Sequence, residues 1–246
     1  MIPLRRPELP SDALARMIDL TERIAAVPGP RRSAEARRIW SRDRTVRPTI
    51  RQTLGGMAPG LERCMYCGDN QGSDVDHFEP MSRNPLRTFD WLNHLLACSI
   101  CNGHFKRDRF PLDAEGNPLL VDPTVDDPAD HLRLSLTTGS FVGLTARGEA
   151  TIEVCGLNRP ILTRGRLAAR TTIERCLRMW DRARRLDEPE LAAELLDTAR
   201  EQPFTAVAYA MVRAAELPTA AAVLPAEIVR LLRLTPVRRA LGAGHA

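Results

Sequence analysis

Apolar positions recur at helical spacing at both ends of the chain and lose that period in the middle. Leu14, Met17, Ile18, Leu20 and Ile24 fall on one side of a helix from about Ala13 to Ala26, with Ser11-Asp12 as its cap and Pro28-Gly29-Pro30 as its stop. A second, arginine-rich helix is predicted from Ala34 to about Leu54; its charged side reads as a solvated face, with phosphate contact as the alternative. From Arg159 onward the helical period returns over Ile161 to about Leu186, then Leu191–Arg200, Phe204–Ala215 and Ala226–Leu234. The chain after Leu241 is expected to fray. In the middle, Asp113 to Pro118 is turn chemistry and Leu119–Val121 a short strand. His131–Leu136 alternates at the strand period before Thr138-Gly139 turns, and Thr151–Val154 reads as another strand. The fold class is α+β. Four segments follow from the pattern: a helical 1–60, a chemistry-rich 61–111, a strand and loop extension 112–158, and a helical 159–246.

Composition narrows the class. Hydrophobic residues make up 43% of 246 positions and charged residues 27%, a globular balance that excludes a disordered chain or a fibre. No apolar run approaches the roughly 20 residues of a bilayer span, and the start, Met1 to Arg6, lacks the apolar core of a secretory signal. A soluble, cytoplasmic protein with no membrane partner is the expectation. The net charge of +4 permits a nucleic-acid partner without requiring one. Of 35 basic residues, 34 are arginine and only Lys106 is lysine. Aromatics are 4%, too few for a surface that stacks single strands.

The 61–111 segment holds four of six cysteines, three of five histidines and the lysine. Cys64-Met-Tyr-Cys67 and Cys98-Ser-Ile-Cys101 are two C-x2-C pairs, the spacing of a tetrahedral thiolate site for structural zinc. Gly68 suits the knuckle turn. Four thiolates fill the coordination sphere, so this metal has no open position for a substrate. A redox motif is the weaker reading of one C-x2-C pair, and two pairs in one segment favour zinc. Cys155 and Cys176 read as buried, inert thiols.

Between and just past the knuckles lie Asp74-Val-Asp76-His77-Phe-Glu-Pro80, Trp91-Leu-Asn93-His94 and Asn102-Gly-His104-Phe-Lys106. On a strand, Asp76 and His77 diverge to opposite sides. On a helix after Cys101, Asn102 and Lys106 share a face. A hairpin and helix pinned by zinc would bring Asp76, His77 and Asn102 together. One carboxylate and one amide oxygen suit a hydrated Mg²⁺, and an imidazole with an ordinary pKa near 6.5 suits activation of water.

These residues resemble an HNH nuclease, the ββα-metal motif in its zinc-ribbed, treble-clef-like form. The pattern is Cys64-x2-Cys67, Asp76-His77-Phe-x-Pro80, Asn93, Cys98-x2-Cys101-Asn102 and Lys106. The resemblance implies a zinc-stabilised ββα-metal core flanked by N- and C-terminal helices. It makes His77 the general base and Asp76 the acidic ligand of a catalytic Mg²⁺ or Mn²⁺. Asn93 would orient the base and brace the loop, and Asn102 would be the second ligand of that cation. Lys106 would touch phosphate; His104 would approach metal or substrate or stay exposed. Phe89-Asp90-Trp91, Phe110-Pro111, Asp122-Pro123, Asp127-Pro128 and Gly156-Leu157-Asn158-Arg159 are similar to one HNH group, the nuclease subunit of Septu-type anti-phage systems, including those attached to retrons. That likeness covers roughly residues 60–170 and implies a DNA endonuclease acting with an ATPase subunit. Glu79 departs from the group, where basic residues often follow the histidine. His94 is expected to pack against the zinc loop and Trp91 in the core; His131 and His245 carry no signal. Two alternatives remain open: a catalytically silent zinc-stabilised nucleic-acid-binding module, and an RNase.

Overall fold

The computed structural model describes residues 1–242; His245 and the tail expected to fray lie outside them. The first helix, α1 (Ser11–Ala25), follows Pro10, and no side-chain cap is made by Ser11 or Asp12. Its inward stripe is Ala13, Met17, Leu20 and Ile24, while Leu14 and Ile18 are exposed. The single arginine-rich helix expected from Ala34 to Leu54 is two: α2 (Arg32–Arg42) and α3 (Val46–Met57). Asp43 makes the break. Its carboxylate accepts the Val46 and Arg47 amides at 2.9 and 2.8 Å and the Thr45 hydroxyl at 2.8 Å, which satisfies donors at the start of α3.

A two-stranded antiparallel hairpin follows, β1 (Asp74–His77) with β2 (His94–Ala97), in the register Asp74↔Ala97 and His77↔His94. Helix α3 packs on both strands. Ile100–Lys106 then forms a π-helical turn in which the Arg107 amide reaches the Asn102 carbonyl at 2.7 Å. The order strand, strand, helical turn is the one the motif residues led us to expect.

The extension differs from expectation in two places. Leu119–Val121 is not a strand; Val121 donates instead to the Thr151 hydroxyl at 2.9 Å. Thr151–Val154 is the end of a helix. Short α4 (Pro128–His131) leads into β3 (Leu132–Leu134), antiparallel to β4 (Phe141–Gly143), and then α5 runs over Ala146–Val154. The Thr145 hydroxyl caps α5 by accepting the Gly148 amide, and Thr151 and Val154, three apart, turn inward together.

Five α-helices follow among the described residues: α6 (Pro160–Arg185), α7 (Pro189–Glu201), α8 (Thr205–Glu216), α9 (Ala226–Leu232) and α10 (Thr235–Leu241). The last was not expected. Helix α6 packs against α7, α8 and α9. Buried side chains from all four sequence segments, Met1 to Leu241, form one cluster. Among the described residues no helix is long and apolar enough to cross a membrane.

Candidate functional site

The two knuckles converge. The ligand atoms of Cys64, Cys67, Cys98 and Cys101 all lie within 4.8 Å of one another, and Cys67 Sγ is 4.0 Å from Cys98 Sγ. A tetrahedron with Zn–S bonds of about 2.3 Å has edges of about 3.8 Å, so the cluster is close to the size zinc requires. Gly68, at φ +71°, turns the first knuckle and donates to the Cys64 carbonyl at 2.9 Å. Both Arg159 terminal nitrogens lie 3.6 Å from Cys101 Sγ, and the Cys101 amide donates to Cys98 Sγ at 3.4 Å. Arg166 is 1% exposed and makes no ion pair among the described residues; it donates to the Gly139 and Leu157 carbonyls and stacks 4.4 Å from the Phe141 ring. Burial pulls its pKa down to about 10, and the Cys67 and Cys101 sulfurs oppose that shift. Thiolates holding a zinc ion would supply the negative charge such a guanidinium needs. Cys155 and Cys176 are buried and stand outside the four-sulfur cluster, and burial pushes the Cys155 thiol up to about 12 and raises Cys176 as well.

The hairpin presents two faces. His77 lies on one, 7% exposed, with its ring centroid 4.5 Å from Trp40 and 5.0 Å from His94 in edge-on contact. His77 Nε2 is 3.0 Å from the Thr88 carbonyl. A carbonyl only accepts, so Nε2 carries the hydrogen and Nδ1 keeps a lone pair. Burial, above all other effects, lowers the His77 pKa to about 4, so the ring is neutral near pH 7. His94 Nε2 shares the Thr88 carbonyl at 3.0 Å, and burial lowers its pKa as well.

Asn93 clamps the loop between the strands. Its side chain donates to the Glu79 and Arg87 carbonyls at 3.0 Å each and accepts the Glu79 amide at 2.8 Å. That fixes the segment carrying Thr88; the link to His77 runs through this loop rather than through a direct bond. Glu79 is 3.2 and 3.5 Å from Arg87 and Arg83, so its charge is matched within the loop.

Asp74 and Asp76 lie on the opposite face of β1 from His77, beneath the π-helical turn, and the expected meeting of Asp76, His77 and Asn102 is not among the contacts of the described residues. Asn102 Nδ2 donates to Asp74 Oδ2 at 3.2 Å, so the residue it meets is Asp74, not Asp76. Asp76 is 2% exposed and engaged at both oxygens: Oδ1 by Lys106 Nζ at 3.1 Å and Oδ2 by the Tyr66 hydroxyl at 2.6 Å. Lys106 Nζ also donates to the His77 carbonyl at 2.7 Å, and its side chain is 0% exposed. This ammonium is a buried strut, neither at the surface nor free to meet a phosphate. His104 is exposed beside Phe105.

The network sets an expectation for Lys106→Met. Asp76 keeps the Tyr66 hydroxyl but is left buried without its ion pair, which costs about 3–5 kcal/mol. Thermal unfolding of the variant should fall by roughly 10 °C; a midpoint within a degree or two of the parent would contradict the strut. The two buried histidines set another. The unfolded chain binds protons near pH 6.5 that folded His77 refuses until about pH 4. Stability therefore falls as pH drops through that window, by about 3 kcal/mol from His77 alone. Melting curves from pH 7 to 4 test this, and His77→Ala should show the shallower slope.

Sequence reasoning missed Trp40, Tyr66, Thr88 and Arg6. Arg6 donates to the Trp91 and His94 carbonyls at 2.9 and 3.0 Å and stacks 4.7 Å from the buried Trp91 ring. None of these stands at a spacing that marks chemistry, although Tyr66 lies inside the first knuckle.

No protein-family model and no solved structure matches the chain. Two curated proteins do, each named Septu protein PtuB. The one from Bacillus thuringiensis is 26% identical over 189 residues, covering 73% of this chain and 65% of the relative. The one from Bacillus mycoides (strain KBAB4) is 26% identical over 164 residues, 54% of this chain and 53% of the relative. The chain thus spans less than two thirds of the length of either relative and is similar to Septu PtuB proteins across much of its own.

Proposed function

We propose that this protein is a metal-dependent HNH endonuclease that hydrolyses phosphodiester bonds in DNA, as the nuclease of a Septu-type anti-phage system with an ATPase partner. The observation that carries the reading is the His77 imidazole. It is held by Nε2–H to Thr88, is neutral at physiological pH, and keeps Nδ1 as a proton acceptor. A general base needs a neutral ring held in one tautomer; burial that lowers the pKa to about 4 also weakens it as a base, so the ring's tautomer and placement carry the reading. The similarity to Septu PtuB supports the defence role.

In this reading His77 Nδ1 takes a proton from the attacking water. Asn93 keeps the loop, and with it the Thr88 carbonyl, in place. Lys106 and Tyr66 hold the end of β1 through Asp76. The donors suited to Mg²⁺ or Mn²⁺ are hard oxygens: Asn102 with the carboxylate face of β1, Asp76 and its neighbour Asp74 two residues away. A cation held there would stabilise charge on the departing oxygen.

One observation favours the second reading, a silent zinc-stabilised binding module: both Asp76 oxygens are already engaged. The test is to incubate the full chain, alone and with the ATPase encoded beside it, with plasmid DNA and with an RNA transcript in Mg²⁺ or Mn²⁺. Nicking of DNA supports the proposal, RNA cleavage alone makes it an RNase, and binding without cleavage under every condition makes it the silent module.

A further inference from the structure

Residues 31–51 carry eight arginines against only Glu35 and Asp43, a net +6 in a chain of net +4, so the remaining residues are slightly acidic in sum. Neither acid is free to neutralise this excess. Glu35 is paired bidentately with Arg38, and Asp43 spends its oxygens capping α3. Arg32 holds the Ala25 and Val27 carbonyls, Arg51 holds Glu62, and Arg47 holds the Trp40 carbonyl. Arg31, Arg42 and Arg44 are exposed and form no ion pair among the described residues. Arg37 reaches Asp108 at 3.7 Å with both side chains more than half exposed, a contact of little strength. Arg38 and Arg42 are four apart on α2, the spacing that stacks side chains along one side of a helix, and Arg31 stands immediately before its first residue.

The position of this strip is as informative as its charge. Trp40, on the inner side of α2, stands against the His77 ring, and the Arg47 guanidinium lies 5.0 Å from the Trp40 ring. Ser33 donates to the Met81 carbonyl at 3.2 Å, in the loop that follows β1. Arg37 meets Asp108, just past Lys106. Helix α2 therefore runs beside the candidate site from the loop after β1 to the end of the π-helical turn.

We propose that the outer side of α2 and the α2–α3 corner, with Arg31, Arg42 and Arg44 as its free cations, is the surface that grips the phosphodiester backbone of a duplex nucleic acid beside His77. Guanidinium groups contact phosphate in bidentate fashion, and backbone contacts set position without reading sequence. A duplex is favoured over a single strand because no Phe, Trp or Tyr is exposed among the described residues, which leaves no platform for unstacked bases. The surface deepens the nuclease reading and rests on it for its purpose, while its binding can be measured apart from cleavage.

The probe is a 20-base-pair blunt duplex DNA of arbitrary sequence, titrated by fluorescence anisotropy against full-length His77→Ala across a range of salt. In that background the triple variant Arg31→Glu, Arg42→Glu, Arg44→Glu is expected to bind at least about tenfold more weakly, with the slope of log affinity on log salt reduced by about two to three. The matched control reverses Arg175 and Arg182, exposed arginines of α6 that also lack ion pairs among the described residues, and should stay within about twofold. Zinc content and melting temperature check that each variant is folded. Unchanged affinity and slope in the triple variant, an equal loss in the control, or no duplex binding by the parent overturns the proposal. Duplex RNA and single-stranded DNA of the same length are further arms. Equal binding of both duplexes leaves the backbone as the ligand, and tighter binding of the single strand overturns the duplex assignment. Plasmid cleavage by the otherwise native protein separates the two failures. Cleavage that survives the triple variant at full rate sinks the surface and leaves the nuclease standing. Weakened binding in a protein that never cleaves keeps the surface and sinks the nuclease reading.

Discussion

Cys98→Ser is expected to lower the melting temperature by more than about 10 °C and to take bound zinc from one ion per chain to none. Structural zinc sites contribute apparent binding energies of about 10–16 kcal/mol, comparable to the whole stability of a typical domain of about 5–15 kcal/mol. Cys98 contributes beyond its own sulfur. Its knuckle starts the π-helical turn that carries Asn102 and Lys106, and its partners Cys64 and Cys67 flank Tyr66. Losing the metal therefore loosens both elements that hold Asp76. It also leaves Arg159 and the buried Arg166 beside thiols in place of thiolates. Prolonged chelation of the native protein should reproduce the variant. An unchanged melting curve together with unchanged zinc content would refute the structural role.

The second large effect is on rate. His77→Ala removes the proposed base and should reduce phosphodiester cleavage by about 10²–10⁴-fold, the usual range for a positioned general base. The cavity left under Trp40 costs some stability, but the variant should keep its zinc and a cooperative transition, because no thiolate or Asp76 contact passes through the His77 side chain. Comparison with Cys98→Ser separates lost chemistry from lost fold. A His77→Ala protein that cleaves at the parental rate would remove His77 from the mechanism.

The four-cysteine cluster was legible because its chemistry is written in unusual residues at fixed short spacings. Two C-x2-C pairs have few other uses in one short segment, and the structure draws their sulfurs together. The hairpin and the following helical turn could be anticipated from the same stretch. Contacts between distant segments were not legible. Trp40 reaches His77 from 37 residues upstream, on a helix whose sequence advertises only arginine. Lys106 shares a helical face with Asn102, as its spacing indicates, yet its burial is decided by Asp76, thirty residues away in the chain. Asn102 likewise finds Asp74, two positions short of the carboxylate the motif singles out.

The secondary-structure errors have local causes. Thr151-Ile-Glu-Val alternates like a strand, but the cap at Thr145 and the inward turn of Thr151 and Val154 make it a helix. The long arginine-rich helix broke because Asp43 and Thr45, which the helical period passes over, are the start of a new one. In both places a short polar side chain satisfied backbone amides and outweighed periodicity.

The most direct test of the account is supercoiled plasmid incubated with the zinc-loaded protein in Mg²⁺ or Mn²⁺, in the presence of the proposed ATPase partner, beside His77→Ala matched for zinc content and melting temperature. Nicked or linear plasmid with the parent and intact plasmid with the variant is the result the account predicts. Intact plasmid with both, or equal cleavage by both, would contradict it.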